Sequence, residues 1–277
     1  MTSSGKISPW ENSNLENEDI ICSVDGIDVK KIIDIQKILE EKEENDEINL
    51  IILRNGKKIS STIKIAKGTN GKNSIGLYVK DKIIGVGTLT YIDPNSKTFG
   101  ALGHSASNIK NELFNVSGQI SSSTVEGIRK AIPGIPGEKR AILNDDILGK
   151  VVSNNDYGVF GIVQNDNLLN SKKVEVGKIN EIELGRAEII TVTEENVKEN
   201  YEIEIIELKN QVVSSVKGIK FKVTDDKLLE KTGGIIQGMS GSPIMQNGKI
   251  IGAVSHVIVD NPEFGYGVYL EWMLEND

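Results

Sequence analysis

Short apolar runs broken by turn signals recur along most of this 277-residue chain, and they constrain its fold more than any other feature. Residues 19–24 run into Asp25-Gly26, and residues 47–53 turn at Asn55-Gly56 to return as 58–66 with alternating polarity. That second pattern predicts a hairpin. Farther on, 83–92 and 98–104 flank Asp93-Pro94-Asn95-Ser96, a turn sequence, and 141–143, 147–152 and 158–163 are further strand candidates. Residues 201–208 mostly alternate, which gives one wet and one dry face, and 245–259 read as two strands around Gln246-Asn247-Gly248. Helical spacing is rarer. Ile35, Ile38 and Leu39 follow Asp34, a plausible N-cap, and end at the acidic run 40–44; residues 122–131 are the best helix candidate in the later part. The polar, Gly-rich stretch 68–74 predicts a boundary between a small α/β unit over 1–67 and a mainly β barrel or sandwich over 75–277.

Composition removes several function classes. Hydrophobic residues make up 38% and charged residues 26%, enough for a buried core. Lys and Arg total 32 against 40 Asp and Glu, a net charge of -8 that argues against nucleic-acid binding. Cys22 is the only cysteine, so no internal disulfide can form. With His104 and His256 as the only histidines, a Cys/His zinc site lacks ligands, and no His-Glu-x-x-His spacing exists. No metal or organic cofactor is expected. No stretch approaches the roughly 18 apolar residues that cross a bilayer, and Met1 to Lys6 lack the apolar core of a signal peptide. As given, the chain reads as soluble.

Gly238-Met239-Ser240-Gly241-Ser242-Pro243 is the densest chemical signal. A serine nucleophile needs its hydroxyl on a sharp turn with backbone N–H groups aimed at the developing oxyanion, and flanking glycines permit that approach. The Gly-x-Ser-x-Gly elbow of α/β-hydrolases is not matched, because Ser242 stands in place of the second glycine. A base must come from elsewhere. His104 ends the small-residue strand Phe99-Gly100-Ala101-Leu102-Gly103, where an imidazole can face a cleft. The order His104 then Ser240 leaves room for one barrel between them.

These segments carry resemblances. The order strand, Asp-Gly turn, helix and Asn-Gly hairpin, with Gly5 to Pro9 and residues 18–24 ahead of it, resembles the later part of a PDZ domain. On that likeness, the strand and carboxylate-binding loop of a peptide groove would lie before Met1, so the unit is expected to be truncated. The serine turn resembles Gly-Asp-Ser-Gly-Gly-Pro of chymotrypsin-like peptidases, with Met239 for Asp and Ser242 for Gly. "GTLTYIDPNSKTFGALGHS", "VTDDKLLEKTGGIIQGMSGSPI" and "GAVSHVIVDNPEFGYGVYLEWML" are similar to the SpoIVB peptidase family (S55), sporulation serine peptidases with a PDZ domain ahead of a chymotrypsin-like double β-barrel. The resemblance implies His104 as general base, Ser240 as nucleophile and Asp225 as the acid. It also implies the N–H groups of Gly238 and Ser240 as oxyanion hole, and Ser255, His256 and Val257 along the substrate.

Two departures stand out. After the histidine the family continues with a hydrophobic residue and then Asp, whereas here the run is Ser105-Ala106-Ser107-Asn108. Asp225 also lies close before Ser240, while chymotrypsin-like enzymes take their acid from the end of the first barrel; Asp145, Asp146 and Asp156 are the alternatives there. The family setting is the space between forespore and mother-cell membranes. There such an enzyme is expected to cut itself and a membrane-anchored regulator of an intramembrane protease. Members are exported by an N-terminal membrane segment, so the expectation is a missing N-terminus. The competing expectation is an inactive peptidase-fold binding module.

Overall fold

The computed structural model describes residues 9–17, 19–68, 70–80, 85–106, 118–210 and 213–277. Gly5 to Ser8, Glu18, Ile83, Ser107 and Asn108 lie outside them. The described residues form two compact units, one up to residue 80 and one from residue 85.

The first unit pairs β1 (Ile20–Val24), β2 (Ile27–Asp28), β3 (Glu47–Arg54) and β4 (Lys57–Lys64) in the order β2-β1-β3-β4. Asn55 and Gly56 take φ of 51° and 72°, the left-handed pair that a two-residue hairpin requires. β3 and β4 therefore pair without a slip from Glu47↔Lys64 to Arg54↔Lys57. Ile48, Leu50 and Ile52 alternate inward and meet Ile35, Ile38 and Leu39 of α1 (Ile32–Glu40). The helix starts a turn earlier than its sequence suggests. Asp34 is not the N-cap; from inside the first turn its Oδ2 accepts the N–H groups of Lys30 and Lys31, each at 3.0 Å.

The stretch read as a linker belongs to this unit. After β5 (Ala66–Lys67) and β6 (Asn73–Ser74), Ile75, Leu77 and Val79 pack on the same core. Asn73 Nδ2 donates to the carbonyls of Leu39 and Lys42 at 2.8 and 2.6 Å, satisfying orphan acceptors at the end of α1. A groove of about 440 Å³ runs between α1, at Ile32, Ile35 and Leu39, and this downstream segment, at Ile75, Leu77 and Tyr78.

The second unit is mainly β. An open five-stranded sheet, ordered β7-β8-β11-β10-β9, joins β7 (Leu89–Asp93), β8 (Thr98–Ala101), β9 (Gly118–Arg129), β10 (Glu138–Asn155) and β11 (Gly158–Val163). Residues 122–129 are strand, not helix. Val125 and Ile128 fit helical spacing, but β9 pairs with β10 from Arg129↔Glu138 to Gly118↔Val151, and that ladder overrides the local pattern. Phe99, Ala101, Val151, Val159 and Val163 form the core of this sheet.

A closed barrel follows, in which β12 (Gly185–Val192), β13 (Lys198–Leu208), β14 (Ile219–Val223), β15 (Pro243–Gln246), β16 (Lys249–Val257) and β17 (Phe264–Tyr269) take the order β12-β13-β14-β17-β16-β15. Tyr201, Ile203 and Ile205 of β13 point inward to Ile189, Phe221, Ile244 and Val254, as the alternation requires. Each such buried side chain contributes about 1.5–3 kcal/mol relative to exposure. α2 (Asp226–Thr232) links β14 to the serine turn, and α3 (Leu270–Leu274) follows β17. The double-barrel class expected from the sequence is the observed one, with its first barrel half-open. No helix among the described residues is long and apolar enough to cross a membrane.

Candidate active site

Ser240 sits on a turn that is tied down on every side. α2 ends at Gly233, whose φ of 72° lets its N–H return to the Leu229 carbonyl. Ile235 and Ile236, each 2% exposed, then pin the chain into the barrel core. The carbonyls that follow are held one by one. Gln237 O accepts from Lys139 N at 2.9 Å, Gly238 O from Thr88 Oγ1 at 3.2 Å and Met239 O from Ser242 N at 2.9 Å. Ser240 O accepts from Thr88 N and Gly241 O from Thr90 Oγ1, both at 2.8 Å.

The N–H groups divide differently. Those of Gln237, Met239 and Gly241 bond to Gly137 O, Ile236 O and Val254 O. Those of Gly238 and Ser240 have no acceptor among the described residues. Because C=O and N–H of a trans peptide point in opposite directions, anchoring Gln237 O and Met239 O inward turns these two N–H groups outward. Gly241 must be glycine: at φ 87° a Cβ there would stand 2.2 Å from Thr88 O and 2.6 Å from Leu102 N. Gly238, at φ 91°, would press a Cβ against the Lys139 stem at 3.1 Å.

His104 arrives by a different route. Beyond β8 the chain passes through Leu102 and Gly103 with φ of 71° and 65°. A left-handed leucine is strained, and such strain collects at functional sites. Leu102 N donates to Thr88 O at 3.2 Å, so the same Thr88 that holds Ser240 O also holds the histidine's approach. The imidazole Nδ1 donates to Ser105 O at 2.7 Å, which leaves Nε2 as its basic nitrogen. Asn154 Oδ1, near the end of β10, accepts from Ala106 N at 2.8 Å and fixes the loop after the histidine. The ring of His256 lies 5.6 Å from that of His104, tilted by 50°. Burial, then Lys217 and His104, push the His256 pKa down to about 4, so it stays neutral beside His104 at neutral pH. No hydrogen bond among the described residues joins His104 to Ser240.

Residues 71–274 match the SpoIVB peptidase S55 family. The chain belongs to the SpoIVB peptidase family. Residues 3–65 match a PDZ domain. Among solved structures, the chain is similar to the Rv3671c protease in its inactive form, with 15% identity and a TM-score of 0.34, over 56% of this chain and 88% of that one. No curated protein matches the chain.

For this SpoIVB-type peptidase, the other residues singled out in the sequence fall as follows. Asp225 is the N-cap of α2: its Oδ1 accepts from Leu228 N at 3.0 Å and its Oδ2 from Glu202 N at 3.2 Å. No hydrogen bond among the described residues joins it to His104. Asp145 and Asp146 lie exposed on β10, the latter accepting from Ser122 Oγ at 2.6 Å, and Asp156 is exposed in the turn before β11. Ser255 is buried, its hydroxyl directed at Val216 O and Tyr266 O rather than at a cleft. Val257 is half-buried against the barrel core, which leaves His256 as the member of that trio beside His104. Sequence reasoning missed Thr88, Thr90, Asn154 and Lys139. Thr90 in β7 and Thr88 just before it lie inside a segment that carries the family likeness, but nothing in that run marks a threonine as a support for the serine turn. Lys139 stands in Glu138-Lys139-Arg140, which reads as a solvated run.

Proposed function

We propose that this chain is a serine endopeptidase acting by acyl transfer. Ser240 Oγ attacks the peptide carbonyl while His104 Nε2 takes its proton, then gives it to the leaving amine. Water repeats the sequence to release the acyl group. The Gly238 and Ser240 N–H groups receive the oxyanion, a contribution of about 2.7–4 kcal/mol per donor in comparable holes. The observation that carries the reading is the alternation along the serine turn, where three N–H groups have acceptors and the two flanking Met239 have none among the described residues.

In this reading the Ser105 carbonyl orients the imidazole through Nδ1, and Asp225 supports the helix that feeds the nucleophile turn. His256 adds no second positive charge when the base protonates. From family membership, the setting is spore formation, in the space between forespore and mother-cell membranes. The substrates there are the enzyme itself and a membrane-anchored regulator of an intramembrane protease.

A binding-module reading draws on the lack of a His104–Ser240 hydrogen bond, although such contacts are often long in a free enzyme and tighten with substrate. Incubating the purified chain alone, with a denatured fluorescein-labelled protein as second substrate, separates the two. Wild type is expected to produce fragments of itself and of the added protein, and Ser240→Ala and His104→Ala neither. Equal fragmentation by wild type and Ser240→Ala would sink the peptidase reading; no fragmentation by any of them would favour the binding module.

A further inference from the structure

Lys139, the second residue of β10, is only 8% exposed, and lysines are seldom buried without a carboxylate partner. Here the sole side-chain bond among the described residues runs from Nζ to Thr191 Oγ1, at 2.7 Å. An apolar side chain of the same length would fill the space with no charge to desolvate. The lysine meets the serine turn in three ways. Its N–H anchors Gln237 O, its stem lies along Gly238, and its ammonium ends on Thr191.

Thr191 Oγ1 has a second donor, Ser242 Oγ, at 3.0 Å. Ser242 is the residue whose N–H anchors Met239 O. The peptide carrying the Gly238 N–H is thus fixed by Lys139, and the peptide carrying the Ser240 N–H by Ser242. The side chains of these two anchors converge on one buried hydroxyl. Met239, apolar and fully buried, offers the turn no ion pair of its own.

We propose that Lys139 is a positioning residue, which with Thr191 and Ser242 clamps the two open N–H groups of the serine turn in the geometry that receives an oxyanion. The role rests on the peptidase reading above. It acts through the backbone and not by contact with substrate. Loss of the ammonium frees Thr191 and Ser242 to rearrange, so the Gly238 and Ser240 peptides rotate more freely while the fold persists.

The test uses the full chain and a fluorophosphonate, with saturation kinetics resolving reversible binding of the probe and the phosphonylation step that follows it. Lys139→Met is expected to lower the maximal rate 10- to 100-fold with unchanged half-saturation and unchanged or higher Tm, since an isosteric apolar residue replaces an unpaired buried charge. Thr191→Val is expected to lower the rate by a similar factor with a lower Tm, since it strips the buried ammonium of its side-chain acceptor. The double variant is expected to be no slower than either alone, because both act through one clamp. Amide exchange across residues 237–242 is expected to quicken at least tenfold in each. A wild-type rate in Lys139→Met, or losses that multiply in the double variant, would overturn the proposal. If Lys139→Met fails to fold, Thr191→Val decides alone, and wild-type labelling and exchange in it would overturn the clamp. Failure of the underlying reading looks different: a folded wild type takes no label, yet exchange over 237–242 still responds to Lys139→Met.

Discussion

At the scale of single residues, the geometry turns on where a side chain is forbidden. An alanine at Gly238 would sit at φ 91° and push the Lys139 stem, tilting the N–H that faces outward. Gly238→Ala is therefore expected to lower kcat by roughly 10²-fold with little change in KM, as for loss of one oxyanion donor. Steady-state kinetics on a cleaved peptide checks it, and an unchanged kcat would remove Gly238 from the hole. Asp225 makes a different case. Its two oxygens hold Leu228 N and Glu202 N, so Asp225→Ala is expected to cost about 1 kcal/mol in stability, the usual worth of an N-cap. Asp225→Ser keeps a capping oxygen and is expected to recover most of that stability together with activity. Recovered stability with activity still down by orders of magnitude would make Asp225 the orienting acid instead.

At the scale of elements, strands are tied to the site by a few polar contacts. Asn154 links the end of β10 to the loop after His104, so Asn154→Ala is expected to reduce kcat/KM about tenfold with Tm nearly unchanged, the loss of one positioning hydrogen bond. Wild-type kcat/KM in that variant would count against it. β13 and α2 are joined at Glu199, which accepts from Lys227 Nζ and from the Tyr201 hydroxyl. The Lys227 bond, then the Tyr201 bond, pull the Glu199 pKa from 4.5 down to about 2, against opposing desolvation. A depressed carboxylate stabilises the fold above its unfolded pKa and loses that contribution as pH falls toward the folded value. Thermal unfolding of wild type and Glu199→Gln is thus expected to converge between about pH 4.5 and pH 2, the window set by that shift. Parallel curves across that window would contradict the pairing.

The elements also mark how far sequence reasoning reaches. β3, β4, β13 and β16 are legible because alternation and Asn-Gly turns are local signals. β9 is not, since its spacing suits a helix and only the ladder with β10, a partner beyond the next turn, makes it a strand. Residues 75–79 follow a polar Gly-rich stretch that signals a boundary, yet their apolar side chains find their core in the first unit.

For the molecule as a whole, the site forms where two sheets of one compact unit meet. Thr90 comes from the open sheet and Thr88 from the residue that leads into it, the serine turn and His256 from the closed barrel, and β8 leads to His104 between them. The serine and histidine are readable because their flanking glycines and small residues are sequence signals. The supports are not: Lys139 becomes a buried group only because Gln237 and Thr191, remote in the chain, close over it. The most direct measurement is mass-spectrometric mapping of a fluorophosphonate adduct on the folded full-length chain. One adduct on the peptide carrying Ser240, absent in Ser240→Ala and strongly reduced in His104→Ala, is the expected result; an adduct on another residue, or equal labelling of Ser240→Ala, would contradict it.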